Sequence, residues 1–435
     1  KEHWPEWWHK LPYTDPVCPL IYALYGHPDS GGYWEQHCDA HLRKQGFKPI
    51  KGSWRSCYYY PDLECFLVVY VDDFKMAGPT DKIGQAWKLI RSGLKMEDPK
   101  PADGRYLGCE HRFYDAPRPV LHNTFHVPAG KVKVDEEGKT KPKREYQGMP
   151  LGDSPKISNT KRPAKVRVVE YDQSNFLAAC VDKYCQLAGI KATSLRQVDT
   201  PFLDESMKMP KGEPTGKLKS IASKVLMKVL YAARMGRFDL LRPCNHLARY
   251  VTKWSTTCDR RLHRLMCYIH HSLHIKCVGW IGDAMSDLEI QIYSDADFAS
   301  DKEDRTSTTG VFMCLRGPNS FFPLAALSKK QGCVSHSTPE AEIVAINTAV
   351  KNHGIPALDL WETLLQRKKM NLKVHEDNET CARICRTGKN ETMRHLERTH
   401  DISVAWLHQQ FSRQEFDVIN EPTDGMCADI FTKAF

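Results

Sequence analysis

Two adjacent aspartates, Asp72 and Asp73, follow an apolar run and form the most pointed chemical feature of the sequence. The run at residues 66–71 (Phe-Leu-Val-Val-Tyr-Val) predicts a buried strand, and a shorter run ending at Gly78 predicts a partner strand in a tight hairpin. Both carboxylates would then lie at the hairpin tip, where they repel each other unless a cation such as Mg²⁺ neutralises them. The pair therefore predicts a metal site, although Asp-Asp pairs are also common in simple turns.

Four stretches of the chain differ in composition and periodicity. Residues 1–116 mix aromatic side chains with short strand-like runs, whereas residues 117–168 are polar and aperiodic, which predicts an insertion or linker. Apolar side chains recur every three or four positions within residues 169–286, which predicts amphipathic helices with basic faces. Residues 287–435 alternate strand and helix signals, which predicts a mixed sheet covered by helices.

The composition excludes several classes of protein. A chain of 435 residues with 41% hydrophobic and 26% charged residues is neither disordered, collagen-like nor a membrane bundle, and its length predicts two or three domains. The net charge of +9 permits a nucleic-acid partner without requiring one. The 16 cysteines include no Cys-x-x-Cys pair, so we expect buried reduced thiols. A secretory leader and a membrane-length apolar run are both absent, so we expect an intracellular protein.

The first three stretches resemble the reverse transcriptase region of Ty1/copia-type retrotransposons. Five short motifs carry the resemblance in the family's order: Ala-Leu-Tyr-Gly at 23–26, Tyr-Trp-Glu at 33–35, Tyr-Val-Asp-Asp at 70–73, Arg-Tyr-Leu-Gly at 105–108 and Val-Asp-Thr-Pro at 198–201. The resemblance implies an α+β palm fragment over residues 1–116, with Asp72 and Asp73 as metal-binding polymerase acids. It also implies a helical thumb or connection over residues 169–286.

Residues 287–435 resemble the ribonuclease H domain of the same elements. The matching motifs again follow the family's order: Tyr-Ser-Asp-Ala-Asp-Phe-Ala at 293–299, Arg-Thr-Ser-Thr-Thr-Gly at 305–310, Ser-Lys-Lys-Gln at 328–331, Ser-Thr-Pro-Glu-Ala-Glu at 337–342, Asp-Asn at 377–378 and Ala-Asp-Ile-Phe-Thr-Lys at 428–433. The resemblance implies an α/β ribonuclease H-like domain, with a mixed five-stranded sheet flanked by helices.

Four acids within these motifs match the family's catalytic acids: Asp295, Glu342, Asp377 and Asp429. Their surroundings agree with that role. Asp295 and Asp377 end predicted strands, Glu342 lies in the first turns of a predicted helix, and Asp429 lies near a C-terminal helix. Acids so placed could converge at one sheet edge and hold two divalent ions about 3.5–4 Å apart, which can activate water and stabilise the leaving oxygen in phosphodiester hydrolysis.

Some features depart from the family's pattern. Reverse transcriptases carry a third palm carboxylate on a strand before the Leu-Tyr-Gly segment, and the acids available there, Glu2, Glu6 and Asp15, lie in no such strand. The fingers and the first palm motif are therefore expected to be missing. In the ribonuclease part, Asp297 is the main rival for the first acid. His400 corresponds more loosely to a histidine near the site.

The resemblances imply an N-terminally truncated fragment of a copia-type polyprotein. It would contain an incomplete RNA-directed DNA polymerase and a ribonuclease H that cleaves the RNA strand of RNA–DNA hybrids. Mg²⁺, or Mn²⁺ in its place, would be the cofactor, with two ions at the ribonuclease site. Partners would be the hybrid and any remaining polyprotein segments (upstream fingers and palm, integrase, protease and Gag), in cytoplasmic virus-like particles or the nucleus. Two alternatives stay open: an inactive remnant that only binds nucleic acid, and a longer precursor that restores the polymerase.

Overall fold

A computed structural model describes the following parts of the chain: residues 6–12, 24, 26–117, 165–203, 212–299, 304–366, 370–389, 393 and 395–434. Most of the predicted polar insertion, 118–164, lies outside the described residues, as do Glu2, Asp15, Ala23 and Tyr25. The chain forms two compact units, Lys1–Pro99 and Lys100–Phe435.

The described residues of the first unit include a small antiparallel sheet and two α-helices. Its strands and helices are β1 (Lys48–Pro49), β2 (Cys57–Tyr60), β3 (Cys65–Tyr70), β4 (Asp73–Ala77), α1 (Ser30–Lys44) and α2 (Ile83–Arg91). The strands pair in chain order, β1-β2-β3-β4. Leu42 of α1, Leu67 of β3 and Ile90 of α2 are fully buried together in one apolar core. The hairpin predicted from the apolar run is present as β3 and β4, and Tyr70 pairs with Asp73 across it.

The second unit contains nine strands and nine α-helices among its described residues. The strands are β5 (Gly104–Tyr106), β6 (Cys109–Pro117), β7 (Lys165–Asp172), β8 (Cys277–Trp280), β9 (Glu289–Asp297), β10 (Thr308–Gly317), β11 (Ser320–Lys330), β12 (Leu372–Glu376) and β13 (Phe416–Asn420). The helices are α3 (Ser174–Ala188), α4 (Lys219–Met235), α5 (Leu241–Ala248), α6 (Thr256–His271), α7 (Thr338–Ala349), α8 (Ile355–Leu365), α9 (Glu379–Thr387), α10 (Leu396–Thr399) and α11 (Val404–Phe411).

The nine strands of this unit form one mixed sheet, in the order β13-β12-β9-β10-β11-β8-β7-β6-β5. Strand β12 runs parallel to both of its neighbours, and the other strands pair antiparallel. The five strands expected for the last part of the chain, β9 to β13, are all present. The sheet nevertheless continues beyond the expected five, because Phe321 of β11 pairs with Trp280 of β8. That pairing covers an edge whose backbone groups would otherwise lie open.

Helices cover both faces of the sheet, because side chains alternate along each strand. Ile290 and Ile292 of β9 belong to a core that includes residues of α7, α8, α9 and α11. Tyr293 of the same strand and Cys314 of β10 belong to another core, which includes residues of α3, α4, α5 and α6. The region predicted to be helical, 169–286, thus supplies four helices, but it also contributes β8 and the end of β7 to the sheet.

Two further sequence expectations concern single elements and residue types. Ser337 caps α7 by accepting a hydrogen bond from the backbone N–H of Glu340, and Pro339 lies in the first turn, as the capping motif predicts. The cysteines that the structure describes are all free, and most are buried. Each described helix is too short or too polar to cross a membrane.

Candidate metal centre

Acidic side chains from separate elements meet where the central strands of the large sheet end. Asp295 lies near the end of β9, and Asp377 directly follows β12. Since β9 and β12 are parallel neighbours, with Tyr293 opposite His375, their carboxyl ends lie at the same edge of the sheet. Helix α7 and a 3₁₀ helix (Cys427–Phe431) bring further acids to this edge.

The acids form two overlapping groups. One carboxylate oxygen from each of Asp295, Asp377 and Asp429 lies within 4.8 Å of the others. A second group joins Glu342, Glu376 and Asp377 within the same 4.8 Å limit. The four acids named from the sequence are therefore gathered in one place, and Asp377 belongs to both groups. Glu376 is an additional member that the sequence analysis did not name.

Asp295 is the most buried acid of the first group, with 2% of its surface exposed. Burial raises the pKa of its carboxyl group to about 6, and the negative charges of Asp429 and Asp377 act in the same direction. The Thr432 hydroxyl donates a hydrogen bond to Asp295 Oδ2, and Lys433 Nζ lies 3.7 Å from Oδ1. Both neighbours favour the ionised form, but they do not outweigh burial.

The second group lies deeper between the sheet and α7. Burial raises the pKa of Glu342 well above its ordinary value, and the charges of Glu376, Asp295 and Asp377 raise it further. Glu342 Oε2 is buried with no hydrogen-bond partner among the described residues. Burial also raises the pKa of Glu376, although the hydroxyl of Ser294 donates a hydrogen bond to its Oε2 at 2.9 Å.

One ammonium group accompanies the first group of acids. Lys433 Nζ donates to Asp429 Oδ1 at 2.7 Å. Burial lowers the pKa of Lys433, but the hydrogen bond to Asp429 and the charge of Asp295 outweigh that effect, so its pKa is raised overall. For Asp377, burial raises the pKa more than Lys433 lowers it. One lysine thus offsets only part of the negative charge of five clustered carboxyl groups.

The donor set fits a hard divalent cation. All five candidate ligands are carboxylates, the type of ligand that Mg²⁺ and Mn²⁺ prefer. Buried carboxylates are stable in their ionised form only when paired or metal-bound. Glu342 Oε2, which has no hydrogen-bond partner among the described residues, is therefore available to bind a cation. Two cations held by overlapping carboxylate groups can activate a water and stabilise a leaving oxygen.

Two further residues named from the sequence are placed outside both groups. Asp297 accepts a hydrogen bond from the backbone N–H of Thr308, and its Oδ2 lies 3.9 Å from the Arg242 guanidinium. His400 Nε2 lies 3.0 Å from Glu340 Oε1. The structure therefore directs Asp297 toward α5 and holds His400 against the start of α7.

The Asp72–Asp73 pair lies in a different setting. Both residues are exposed, and neither belongs to a group of three potential ligands among the described residues. Val71, the first residue of the turn, has a φ of 55°, and its carbonyl oxygen accepts a 2.7 Å hydrogen bond from Trp34 Nε1. The predicted hairpin is thus present, but its two carboxylates are not joined by a third.

The sequence did contain a signal for Glu376. Leu372, Val374 and Glu376 occupy alternate positions of β12, and all three are buried. A glutamate that continues an apolar alternation is a buried acid, and a buried acid requires a partner or a cation. No comparable local signal marks the hydrogen bond from Thr432 to Asp295, which joins residues 137 positions apart.

Comparison with known proteins gives a relative over nearly the whole chain. No protein-family model matches. The chain is 27% identical to the retrovirus-related Pol polyprotein from transposon TNT 1-94 of Nicotiana tabacum, in an alignment of 434 positions that covers 96% of this chain. The chain spans about a quarter, 27%, of that relative's length.

A solved structure, LC11-RNase H1 isolated from compost by a metagenomic approach, is 16% identical, with 33% of this chain and 92% of that one covered. Its TM-score of 0.25 is too low to establish a shared fold. Over nearly its whole length, the chain is therefore similar in sequence to a retrovirus-related Pol polyprotein of a transposon.

Proposed function

We propose that residues 287–435 of the second unit form a ribonuclease H that cleaves the RNA strand of RNA–DNA hybrids by two-metal hydrolysis, within a segment of a retrotransposon Pol polyprotein. The observation that carries the proposal is the meeting of Asp295, Glu342, Asp377 and Asp429 at one sheet edge. These acids come from separate elements, and each lies in a motif that resembles the ribonuclease H domain of copia elements.

The residues of the chain have distinct tasks in this proposal. Bound Mg²⁺ or Mn²⁺ would activate the attacking water and stabilise the leaving oxygen. Asp295 and Asp429 would hold one cation, Glu342 would hold the other, and Asp377 would serve both, since it belongs to both groups. The hydrogen bond from Thr432 fixes the carboxylate of Asp295, and Lys433 balances part of the negative charge.

The substrate would be bound mainly through its backbone. Helix α4 and the two residues before it carry exposed basic side chains: Lys217, Lys219, Lys224, Lys228 and Arg234. Basic side chains bind phosphates without reading sequence, and an RNA–DNA hybrid also offers 2′-hydroxyl groups that distinguish its RNA strand. A surface of this kind supports binding of a hybrid duplex with little sequence preference.

For residues 1–116 we propose a partial reverse-transcriptase palm. Its support is the β3–β4 hairpin, which carries Tyr-Val-Asp-Asp at its turn. Asp72 and Asp73 lack a third acidic neighbour among the described residues, and this favours a nucleic-acid-binding remnant over an active polymerase in this segment alone. A longer polyprotein would restore polymerisation if it supplied the missing palm carboxylate.

The test of the ribonuclease proposal is Asp377→Asn in the full chain. We expect Mg²⁺-dependent cleavage of an RNA–DNA hybrid to fall more than about 100-fold, since even residues that only orient metal ligands contribute 10–100-fold. Thermal unfolding should show a folded variant. The matched control is Asp417→Asn, which changes an exposed carboxylate on β13 of the same sheet and should leave cleavage unchanged. Unimpaired cleavage by Asp377→Asn would refute the site assignment.

The test uses the full chain because helices that precede residue 287 cover one face of the sheet. Tyr293, Cys314 and Phe431 are buried in a core shared with helices α3 to α6. A segment that began at Asp287 would expose this apolar face to water. Loss of activity in such a segment would therefore not distinguish a wrong site from a disrupted fold.

A further inference from the structure

Glu376 is a buried acid, and burying a carboxylate is unfavourable unless a cation or hydrogen-bond donors stabilise it. It is the last residue of β12, and it is fully buried. The alternation of the strand places it on the same face as Leu372 and Val374, which belong to the core that α7 helps to form. Helix α7 carries Glu342, so the two glutamates approach each other from the sheet and from the helix.

Among the described residues, Glu376 accepts hydrogen bonds from neutral donors. The Ser294 hydroxyl donates to Oε2 at 2.9 Å, and the backbone N–H of Asn378 donates to Oε1 at 3.3 Å. Within the described part of the chain, no lysine, arginine or histidine forms an ion pair with Glu342 or Glu376. The first group of acids differs, because Lys433 lies beside Asp295 and Asp429.

Glu342 provides an independent observation. It is 3% exposed, and its Oε2 is buried without a hydrogen-bond partner in the described structure. One oxygen of Glu342 lies within 4.8 Å of oxygens of both Glu376 and Asp377. An unpartnered buried carboxylate oxygen is unfavourable unless a cation or proton donor meets it, and no residue that the structure describes supplies one here.

We propose that Glu376 is a metal ligand which, together with Glu342 and Asp377, forms the second divalent-cation position of the centre. This inference rests on the proposed two-metal function and adds a fifth carboxylate to it. Three carboxylates around one position would bind a hard cation such as Mg²⁺ or Mn²⁺. The position needs its cation more than the first one does, because none of the described residues places an ammonium group beside its carboxylates.

The test measures Mn²⁺ binding rather than activity. Metal-free full chain is titrated with Mn²⁺, with free Mn²⁺ followed by electron paramagnetic resonance, and we expect two bound ions. Glu376→Gln keeps the size and the neutral hydrogen-bonding capacity of the side chain while removing its charge. We expect this variant to weaken one of the two positions by about tenfold or more and to leave the other unchanged.

Two further variants complete the experiment. Glu421→Gln is the matched control: Glu421 is a buried glutamate directly after β13 that pairs with His375, and its variant should bind both ions normally. Glu376→Asp retains the charge on a shorter side chain, so it should fold and bind the second ion with intermediate affinity, even if Glu376→Gln unfolds.

The outcomes separate this inference from the proposed function. Two ions bound with unchanged affinity by folded Glu376→Gln or by Glu376→Asp would overturn the role of Glu376, while weakened binding by Asp377→Asn would leave the proposed function standing. Failure of the unaltered chain to bind any Mn²⁺ would overturn both.

Discussion

The Asp72–Asp73 hairpin and the carboxylate centre of the large sheet start from the same local pattern. In each, acids lie within two residues of the end of a strand with buried side chains: β3 in one case and β12 in the other. The hairpin ends in water with its two carboxylates exposed. Asp377 instead follows a parallel strand between two others, where distant elements supply further acids. Carboxylates next to each other in sequence do not by themselves make a metal centre.

The two regions also differ in where unfavourable energy resides. In the carboxylate centre it resides in charge, because buried acids crowd together with one lysine beside them. In the hairpin it resides in the backbone, because a β-branched residue, Val71, has a positive φ of 55°. The first cost can be relieved by a cation or a proton, and the second only by a change of residue.

The largest expected effect is on the pH dependence of stability without metal. The pKa of Asp295 is raised from 3.8 to about 6, chiefly by burial, so the folded state binds this proton more tightly than the unfolded chain does. This stabilisation is fully present below about pH 3.8 and is lost as the pH rises through about 6. At 1.36 kcal/mol per pKa unit the loss is about 3 kcal/mol.

Asp295→Asn isolates this contribution from those of other acids. Between about pH 4 and pH 7.5, urea unfolding without metal should show the variant gaining about 3 kcal/mol relative to the unaltered chain. Added Mg²⁺ at the higher pH should stabilise the unaltered chain more than the variant. A difference between the two proteins that stays constant with pH would mean that Asp295 is not a strained buried acid.

The sequence predicted the parts of this centre that leave local signals. Strand alternation and the capping motif located β9 and α7, and the motifs named Asp295, Glu342, Asp377 and Asp429. The extension of the sheet through β8 could not be predicted in this way. It depends on the pairing of Phe321 with Trp280, and no tight turn between these two strands determines which of their residues lie opposite each other. Tertiary pairing of this kind depends on how two surfaces fit together.

The same limit explains why the residues around the carboxylates were missed. Thr432 lies in a quoted motif, but its contact with Asp295 spans 137 positions. The burial of Glu376 was readable from alternation along β12, whereas its proximity to Glu342 required the placement of α7 over the sheet. Local periodicity therefore gives the orientation of a side chain relative to its own element, and packing decides its partners.

The second expected effect concerns the orientation of Asp295. Thr432→Val keeps the shape of the side chain but removes the hydroxyl that contacts Asp295 Oδ2 and the carbonyl oxygen of Asp429. We expect the affinity for Mn²⁺ and the rate of hybrid cleavage to fall about 10–100-fold, as for other residues that orient metal ligands. Thr363→Val, which removes a hydroxyl bonded within α8, is the control and should change neither. Unchanged metal affinity in Thr432→Val would show that the carboxylates need no orienting neighbour.

The smallest expected effect is on the hairpin. Since only the first turn residue, Val71, has a positive φ among residues 70–73, the turn suits glycine at that position. A branched side chain at this position destabilises the folded state by about 1–2 kcal/mol. Glycine removes that strain, but its greater conformational freedom in the unfolded chain offsets part of the gain. Val71→Gly should therefore stabilise the first unit by about 1 kcal/mol in urea unfolding, without affecting Mn²⁺ binding by the carboxylate centre.

The control for the hairpin is Val69→Gly, a change at an ordinary strand position of β3 that should destabilise the unit. If Val71→Gly also destabilises the unit, the cost at the hairpin is not in its backbone, and the contrast with the carboxylate centre fails. If it stabilises the unit as expected, Val71 is retained at a position where glycine would be more stable. Backbone strain that persists beside acidic residues is characteristic of functional sites, so that result would favour a palm descended from a working polymerase.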